Sequence, residues 1–380
     1  MDWSAARSHV RLDPTVTMLN TGSFGPTPTP VLDAADGFRR RLAAGPTDFF
    51  VRQLPPLLWD ARVKTAAFLG VPAERLLFAT NVSAAINLVA SGLTLSGPGE
   101  ILLTDHEYGA MVWCWERAAR RQGLTIRTVK LPDDPGDIVA ACVNAMSPRT
   151  RLLFVSHVLS PTGLILPAAE LCRAARQRGV VSVVDGAHAA GMLPLDVSAV
   201  GADFYAGNLH KWLLAPMGSG FLAIGPGMDD RLQPLQVSWG YHPDPGGTPD
   251  EPDGYGSTRR LRHLEFDGTR DPAPWLAVPA AIEFQVTLGW DAVRARQREL
   301  GAYCRRVIPL SPATPESHAA AMTSFHLPET RTPDEWRRFF WGHRIEVPVN
   351  PSAGRWVVRV SHHFYTTEAE IDRLAGVVGS

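Results

Sequence analysis

The chain has 380 residues, of which 45% are hydrophobic and 20% charged, so it is a globular protein with material for a sizeable core. Its 37 basic and 38 acidic residues leave a net charge of -1, without the basic excess of a nucleic-acid binder. No run approaches the roughly 20 apolar residues of a membrane span, and Met1-Asp2-Trp3-Ser4 lacks the basic and apolar regions of a secretory leader.

A cytoplasmic protein with neither nucleic-acid nor membrane partners is therefore expected. The cysteines Cys114, Cys142, Cys172 and Cys304 lack any metal-ligand spacing, so no metal site is expected and the thiols read as buried. Length alone predicts two or three domains, at roughly 100–200 residues each. Among the 37 basic residues only Lys64, Lys130 and Lys211 are lysines, which leaves three carriers for any lysine chemistry.

In chain order, Trp59 to Leu69 reads as an amphipathic helix carrying Lys64. From about residue 75 to 225, short apolar runs alternate with helical patterns, which predicts an α/β domain with a largely parallel sheet. The expected strands are Leu76–Ala79, Ile101–Thr104, Thr125–Val129, Leu152–Ser156, Val180–Val184, Phe204–Ala206 and Gly220–Ile224. Pro167 to Gly179 has proline at a helix start and glycine just beyond its end, so it predicts a helix. Tyr241–Thr258, rich in glycine, proline and aspartate, reads as a long mobile loop, either a lid or a surface excursion. Trp275–Leu300 is helical in pattern. The chain closes on a helix with a capping box, Thr367-Glu-Ala-Glu370.

In open α/β sheets ligands sit beyond the carboxyl ends of the strands, so the residues following each strand are the candidates. After Leu76–Ala79 come Thr80, Asn81, Val82 and Ser83, opening an apolar helix. That helix start could hold a phosphate, or Ser83 could be an ordinary N-cap. After Val180–Val184 comes Asp185, a carboxylate at a buried strand end. It needs a cationic partner, either a protonated heterocyclic nitrogen or a structural arginine. After Phe204–Ala206 come Asn208, His210 and Lys211. Lys64 and Lys130 suit the surface, whereas Lys211 sits beside polar groups and a glycine-rich run, as a carbonyl-binding lysine requires. A phosphate-type helix start, Asp185 and then Lys211 together form the set that pyridoxal 5′-phosphate (PLP) needs.

These residues carry a resemblance. Asp105-His-Glu-Tyr108, Val184-Asp-Gly-Ala-His188, His210-Lys-Trp212, Gly268-Thr-Arg-Asp271 and Arg359-Val-Ser361 resemble motifs of the fold-type I PLP enzymes of the class V aminotransferase group. The likeness is strongest to the branch typified by isopenicillin N epimerase.

The resemblance implies the type I PLP-dependent transferase fold. A large domain (16–265) with a mainly parallel mixed sheet is expected beside a smaller α+β domain (266–380, with 1–15). It implies that Lys211 bonds the cofactor aldehyde, Asp185 pairs with the pyridine nitrogen, His188 hydrogen-bonds the phenolic oxygen and Tyr108 stacks on the ring, with His106 a rival. Val82 (through its N–H), Ser83, Asn208 and His210 match phosphate-binding positions. Gly268 and Thr269 would complete the phosphate cup of a second subunit, which implies a homodimer with shared sites. Arg359, with Asn20 and Ser23, would bind the substrate carboxylate.

The family's cysteine desulfurases carry a nucleophilic cysteine shortly before this arginine. Here Val349 to Trp356 contains none, so persulfide chemistry is not expected. The leading expectation is epimerisation at Cα of an amino-acid moiety on a larger metabolite in secondary metabolism, such as an antibiotic pathway. Lys211 would serve one face, and Tyr108, His106 or His362 the other. C–S β-lysis or decarboxylation-coupled oxidative deamination of an S-cysteinyl conjugate is the alternative. A catalytically silent binding protein is a third reading, opposed by the complete set of Asp185, Lys211 and Arg359.

Overall fold

The computed structural model describes residues 1–95, 97–241, 248–352 and 354–379. Strand β1 (Thr17–Met18) lies apart from the main sheet. That sheet comprises β2 (Leu76–Ala79), β3 (Glu100–Thr104), β4 (Thr125–Val129), β5 (Thr150–Ser156), β6 (Val181–Asp185), β7 (Phe204–Asn208) and β8 (Gly220–Ile224). Their spatial order is β2-β8-β7-β6-β5-β3-β4, and only the pairings made by β8 are antiparallel.

The inner strands are buried except at half-buried Arg151 of β5, whereas edge strand β4 exposes Thr125, Arg127 and Thr128. This is why the inner strands read as unbroken apolar runs: helices cover both faces of the sheet. One core packs Ile86, Val89, Met111 and Trp115 against one face. The other packs Leu69, Leu171 and Ala281 against the opposite face.

The smaller lobe holds β9 (Met322–His326), β10 (Ile345–Glu346), β11 (Val349–Ser352) and β12 (Arg355–Ser361). Strands β11-β12-β9 form an antiparallel sheet, while β10 pairs in parallel with β1. Its core gathers Leu19, Leu300, Cys304, Phe325, Trp336, Val358 and Ile371. The closing helix Glu368–Val378 carries the expected capping box at Thr367 and Glu370.

The helix Val278–Leu288 packs into the large core, as does Val293, whereas Leu300 and Cys304 enter the small one. We propose that the lobes divide within the helix Trp290–Val307 rather than at 266. The N-terminal segment is split as well, since Ala6 and Val10 join the large core and Leu19 the small one.

Of the stretch expected to be mobile, residues 242–247 lie outside the described residues. Its later part is anchored. Buried Arg62 donates to the Gly256 carbonyl at 3.0 Å and to Glu265 Oε2 at 2.9 Å, and Ser257 and Thr258 are buried. From Ser257 onward the stretch is therefore built into the body.

Candidate active site

The carboxyl ends of β2, β5, β6 and β7 open on a cavity of about 430 Å³. It is lined by Gly22, Ser23, Phe24, Thr80 to Ser83, Tyr108, Ser156, Ser160, Asp185, His188, Asn208, His210 and Lys211, among others. Ser23, Val82, Ser83, Tyr108, Asp185, His188, Asn208, His210 and Lys211 thus converge on one space. Lys64 instead pairs with Asp60 at 3.2 Å on an exposed helix face, and Lys130 lines a separate cavity.

Lys211 follows β7 at the cavity wall. Desolvation first, and then the nearby Arg359 cation, push its amine down to about 7, against an opposing pull from Asp185. Its Nζ lies 3.4 Å from His188 Nε2. His188 is buried, and desolvation holds it well below the ordinary histidine range, so the ring is neutral.

Asp185 ends β6 and is 4% exposed. One oxygen accepts the Ala187 N–H at 2.8 Å, and no ion pair to Asp185 occurs among the described residues. No structural arginine meets it. Burial raises its pKa, against the Ala187 hydrogen bond and the nearby Lys211 charge, and the carboxyl group lines the cavity.

The helix Val82–Gly92 is capped by Asn81, whose Oδ1 accepts from Ala84 N at 2.9 Å. Ser83 is therefore not the N-cap; it is the second residue of the helix and lines the cavity. The Val82 N–H donates to Asn208 Oδ1 at 2.8 Å, which orients the Asn208 side chain, and Val82 lines the same cavity. His210 Nδ1 bonds the Ser219 carbonyl at 2.8 Å, which leaves Nε2 for the cavity.

Glycine permits a close backbone approach beside Lys211. A Cβ on Gly25 would fall 2.0 Å from the Lys211 carbonyl oxygen, and the Gly25 N–H donates to the His210 carbonyl at 3.0 Å.

Arg359 enters from β12 of the small lobe and is 2% exposed. Nη1 donates to the Ser160 carbonyl at 2.6 Å, while Nη2 reaches Asn20 Oδ1 and Ser23 Oγ, each at 3.2 Å. Its Nε has no partner, and no carboxylate pairs with it among the described residues. Asn20 donates its Nδ2 to Glu346 and accepts from Arg359 Nη2, so it helps to orient the guanidinium. Burial alone lowers the guanidinium to about 10.

Three expected groups lie elsewhere. His106 pairs with Asp105 at 2.7 Å and lines the separate cavity near Lys130, whereas Tyr108 lines the Lys211 cavity. His362 is fully buried behind β12 and bonds Thr323 Oγ1 at 3.1 Å. Gly268 and Thr269 line another cavity with Phe50, Tyr255 and Trp275. Sequence reasoning also missed Ser160, Phe24 and Met217 on the wall. It missed the carboxylate behind Ser156 too: Glu107 Oε2 accepts from Ser156 Oγ at 2.6 Å, and burial raises it to about 7. Glu107 stood inside the Asp105–Tyr108 motif, but nothing in sequence showed which way it pointed.

The sequence pattern of the class V aminotransferases matches residues 23–374. The chain belongs to this family. An isopenicillin N epimerase of Streptomyces clavuligerus is 54% identical over 386 residues, covering 98% of this chain and 97% of the relative. One from Amycolatopsis lactamdurans is 53% identical, again over 98% and 97%. Among solved structures, the cystine C-S lyase C-DES with its product cysteine persulfide gives a TM-score of 0.84 at 26% identity, covering 97% and 98% of the two chains. A C-DES mutant with glycine covalently linked to its PLP cofactor gives 0.83, also at 26%, covering 97% of each chain. The class V fold here is that of the type I PLP-dependent transferases, with a mainly parallel mixed sheet and a smaller lobe.

Proposed function

We propose that this class V enzyme epimerises Cα of an amino-acid moiety on a larger metabolite, in the manner of isopenicillin N epimerase, with PLP as its cofactor. The observation that carries the reading is a lysine amine pushed down to about 7 and a buried carboxylate without an ion pair on the wall of one space, with the buried Arg359 guanidinium bonded to Ser160 and Ser23 of that same wall. The relatives at 54% and 53% identity support epimerisation. The C–S-cleaving reading rests on structures 26% identical and is the second choice. All four cysteines are buried and desolvation raises their thiols, to about 12 for Cys304, which argues against a nucleophilic sulfur.

The residues fit the cofactor. Asp185 offers the buried negative charge that a protonated pyridine nitrogen needs. Ser83, Asn208 and His210 would hold the phosphate at a helix N-terminus, where the dipole favours an anion. Lys211 would hold the aldehyde carbon. When bound, the cofactor supplies an electron sink that acidifies the Cα–H bond of an attached amino acid.

Arg359 grips the substrate carboxylate, a bidentate task for which its rigid fork is suited. Ser23 completes that contact, and Asn20 steadies it from behind. Lys211 Nζ moves the α-proton on one face. Tyr108 Oη, the sole second-acid candidate of the three that lines the cavity, serves the other face. Phe24 and Tyr108, 64% and 50% exposed, make an apolar rim suited to the remainder of a larger substrate.

In this reading Gly268 and Thr269 complete the phosphate cup of a second subunit, giving a homodimer. Thr269 is exposed and away from its own chain's Lys211 cavity, which supports donation to a partner. The proposed setting is a cytoplasmic antibiotic pathway. No helix among the described residues is long and apolar enough to cross a membrane.

The test is incubation of the PLP-loaded enzyme with candidate amino-acid metabolites in deuterated water. Deuterium at Cα of an inverted product of unchanged composition supports epimerisation. Pyruvate and ammonia would shift the assignment to the lyase. A protein that stays colourless with PLP would overturn both.

A further inference from the structure

His188 has two ring nitrogens, and which of them carries the proton decides what it can do in the cavity. Its Nδ1 lies 3.3 Å from the indole Nε1 of Trp212, and its Nε2 lies 3.4 Å from Lys211 Nζ. An indole N–H only donates, so Nδ1 facing it must offer a lone pair. The single proton of the neutral ring then sits on Nε2, directed at Lys211 Nζ on the cavity wall, whose amine accepts it when neutral. An imidazolium would set two N–H groups against each other at Nδ1, so the same contact opposes protonation.

Trp212 is held firmly enough to impose this. It is fully buried. Its carbonyl accepts from Gln285 Nε2 at 2.8 Å and lies 3.0 Å from His363 Nε2. The His363 Nδ1 accepts the Phe364 N–H at 2.9 Å, so its proton is on Nε2 and it too donates to Trp212. The His363 ring also stacks on the indole, with centroids 5.9 Å apart and planes 13° from parallel, and it stacks on Tyr365 at 5.3 Å. Met192, Val158, Ala321 and Met322 pack around the indole. Neither the ring nor the backbone of Trp212 has room to turn.

We propose that Trp212 is a positioning residue that locks His188 in the Nε2–H tautomer, making it a fixed hydrogen-bond donor to the cavity. The assignment of the tautomer stands on these contacts alone. Its consequence rests on the function proposed above: His188 then donates to an anionic ring oxygen of the cofactor and cannot accept from a protonated one. Trp212 touches neither substrate nor cofactor and acts only through His188.

The test begins without cofactor. In apoprotein carrying ¹⁵N-labelled histidine, the His188 signals are assigned by their loss in His188→Gln. The expected result is a protonated Nε2 and an unprotonated Nδ1, and a proton on Nδ1 in the unaltered protein overturns the proposal even if no variant folds. Trp212→Phe, which removes the N–H and keeps an aromatic ring, should move His188 toward the Nδ1–H form or a mixture, and an unchanged pattern overturns the proposal. In the loaded enzyme, Trp212→Phe should shift the absorbance maximum of the bound cofactor and lower kcat by about three- to tenfold, the range of one neutral hydrogen bond, with KM nearly unchanged. In a His188→Gln background, where there is no tautomer to set, the same substitution should add nothing. An equal added loss there would mean that Trp212 acts by packing, and would sink the idea. Because the nitrogen signals need no cofactor, failure of this assignment and failure of the PLP reading are told apart.

Discussion

Arg359 reaches from the small lobe to Ser160 of the large one, with Nη1 2.6 Å from the Ser160 carbonyl oxygen and 3.3 Å from its Oγ. The strand that carries Arg359 also leads into His363, which clamps the backbone of Trp212 beside Lys211. One segment of the small lobe thus supplies the proposed carboxylate grip and fixes the neighbour of the proposed cofactor lysine. The two halves of the site are positioned together.

Arg359→Lys keeps the charge but loses the planar fork that bonds Ser160, Asn20 and Ser23 at once. Removing one charge-assisted hydrogen bond costs about 1.5–3 kcal/mol, so KM should rise roughly ten- to a hundredfold. Cofactor absorbance should be unchanged, because Arg359 is assigned to the substrate. Steady-state kinetics beside a PLP titration check both halves, and loss of PLP with KM intact would move Arg359 to the cofactor side.

Lys211 gives a pH prediction. Its amine is pushed down to about 7 in the folded chain, mainly by desolvation, against about 10.4 in an unfolded one. Capture of PLP by the apoprotein needs the neutral amine, so its rate should rise through pH 7 and level off well below pH 10. Stability follows the same asymmetry. Between about pH 7 and 10.4 the unfolded chain binds a proton that the folded chain does not, so this residue makes stability rise with pH in that window. The penalty is fully present below pH 7. Denaturant titrations of the apoprotein at pH 7 and pH 9, compared with Lys211→Met, should show that component vanish in the variant.

Tyr108→Phe keeps the ring that lines the cavity and removes the hydroxyl assigned to the second face. Positioned proton transfer contributes about 10²–10⁴-fold, so inversion should fall within that range. Exchange of the α-proton with deuterated water should continue on the Lys211 face without inversion. Proton NMR of recovered substrate separates these outcomes, and equal loss of exchange and inversion would remove Tyr108 from its role.

How much of this was legible in the sequence depended on the kind of signal. Each of the seven main-sheet strands was found within two residues of its observed ends: covered strands must be apolar on both faces, the exposed edge strand β4 is marked by its β-branched residues instead, and the boundaries carry turn residues. Lys211 was legible by elimination, since only three lysines exist. Side-chain direction was not. Asn81 and Ser83 are both good capping residues, and only the backbone shows that Asn81 takes the cap. His106 and Tyr108 stand two apart, and the turn before the helix Gly109–Gln122 decides which faces the cavity. The pairing of β1 with β10 joins residues more than 300 positions apart, and two-residue strands leave no pattern to read.

Gly25 yields a structural prediction. With a Cβ 2.0 Å from the Lys211 carbonyl oxygen and 2.9 Å from that of His210, alanine there must push backbone against backbone. Overpacking commonly costs about 1–3 kcal/mol, and a fixed backbone places this case at the upper end. Gly25→Ala should lower Tm by several degrees and weaken PLP binding more than Gly37→Ala, where a Cβ meets nothing within 4 Å. Thermal melts of both apoproteins with PLP titrations test this, and equal behaviour of the two variants would contradict it.

The shared-site homodimer predicts complementation. Lys211→Ala disables a site from within, whereas Thr269→Trp should block the phosphate cup of the other subunit, since Thr269 lines a cavity separate from its own chain's Lys211. In a mixed dimer of the two variants, the subunit with Thr269→Trp retains Lys211 and receives an intact Thr269 from its partner. One site in such a dimer is whole. Random exchange of equal amounts makes half the dimers mixed, so the mixture should recover roughly a quarter of the normal activity from two nearly inactive proteins. Mixing Lys211→Ala with Arg359→Ala should recover nothing, because both residues serve the same chain's site and every mixed dimer carries two damaged ones. Recovery in the second mixture, or none in the first with exchange verified by mass, would place Gly268 and Thr269 outside the partner's site.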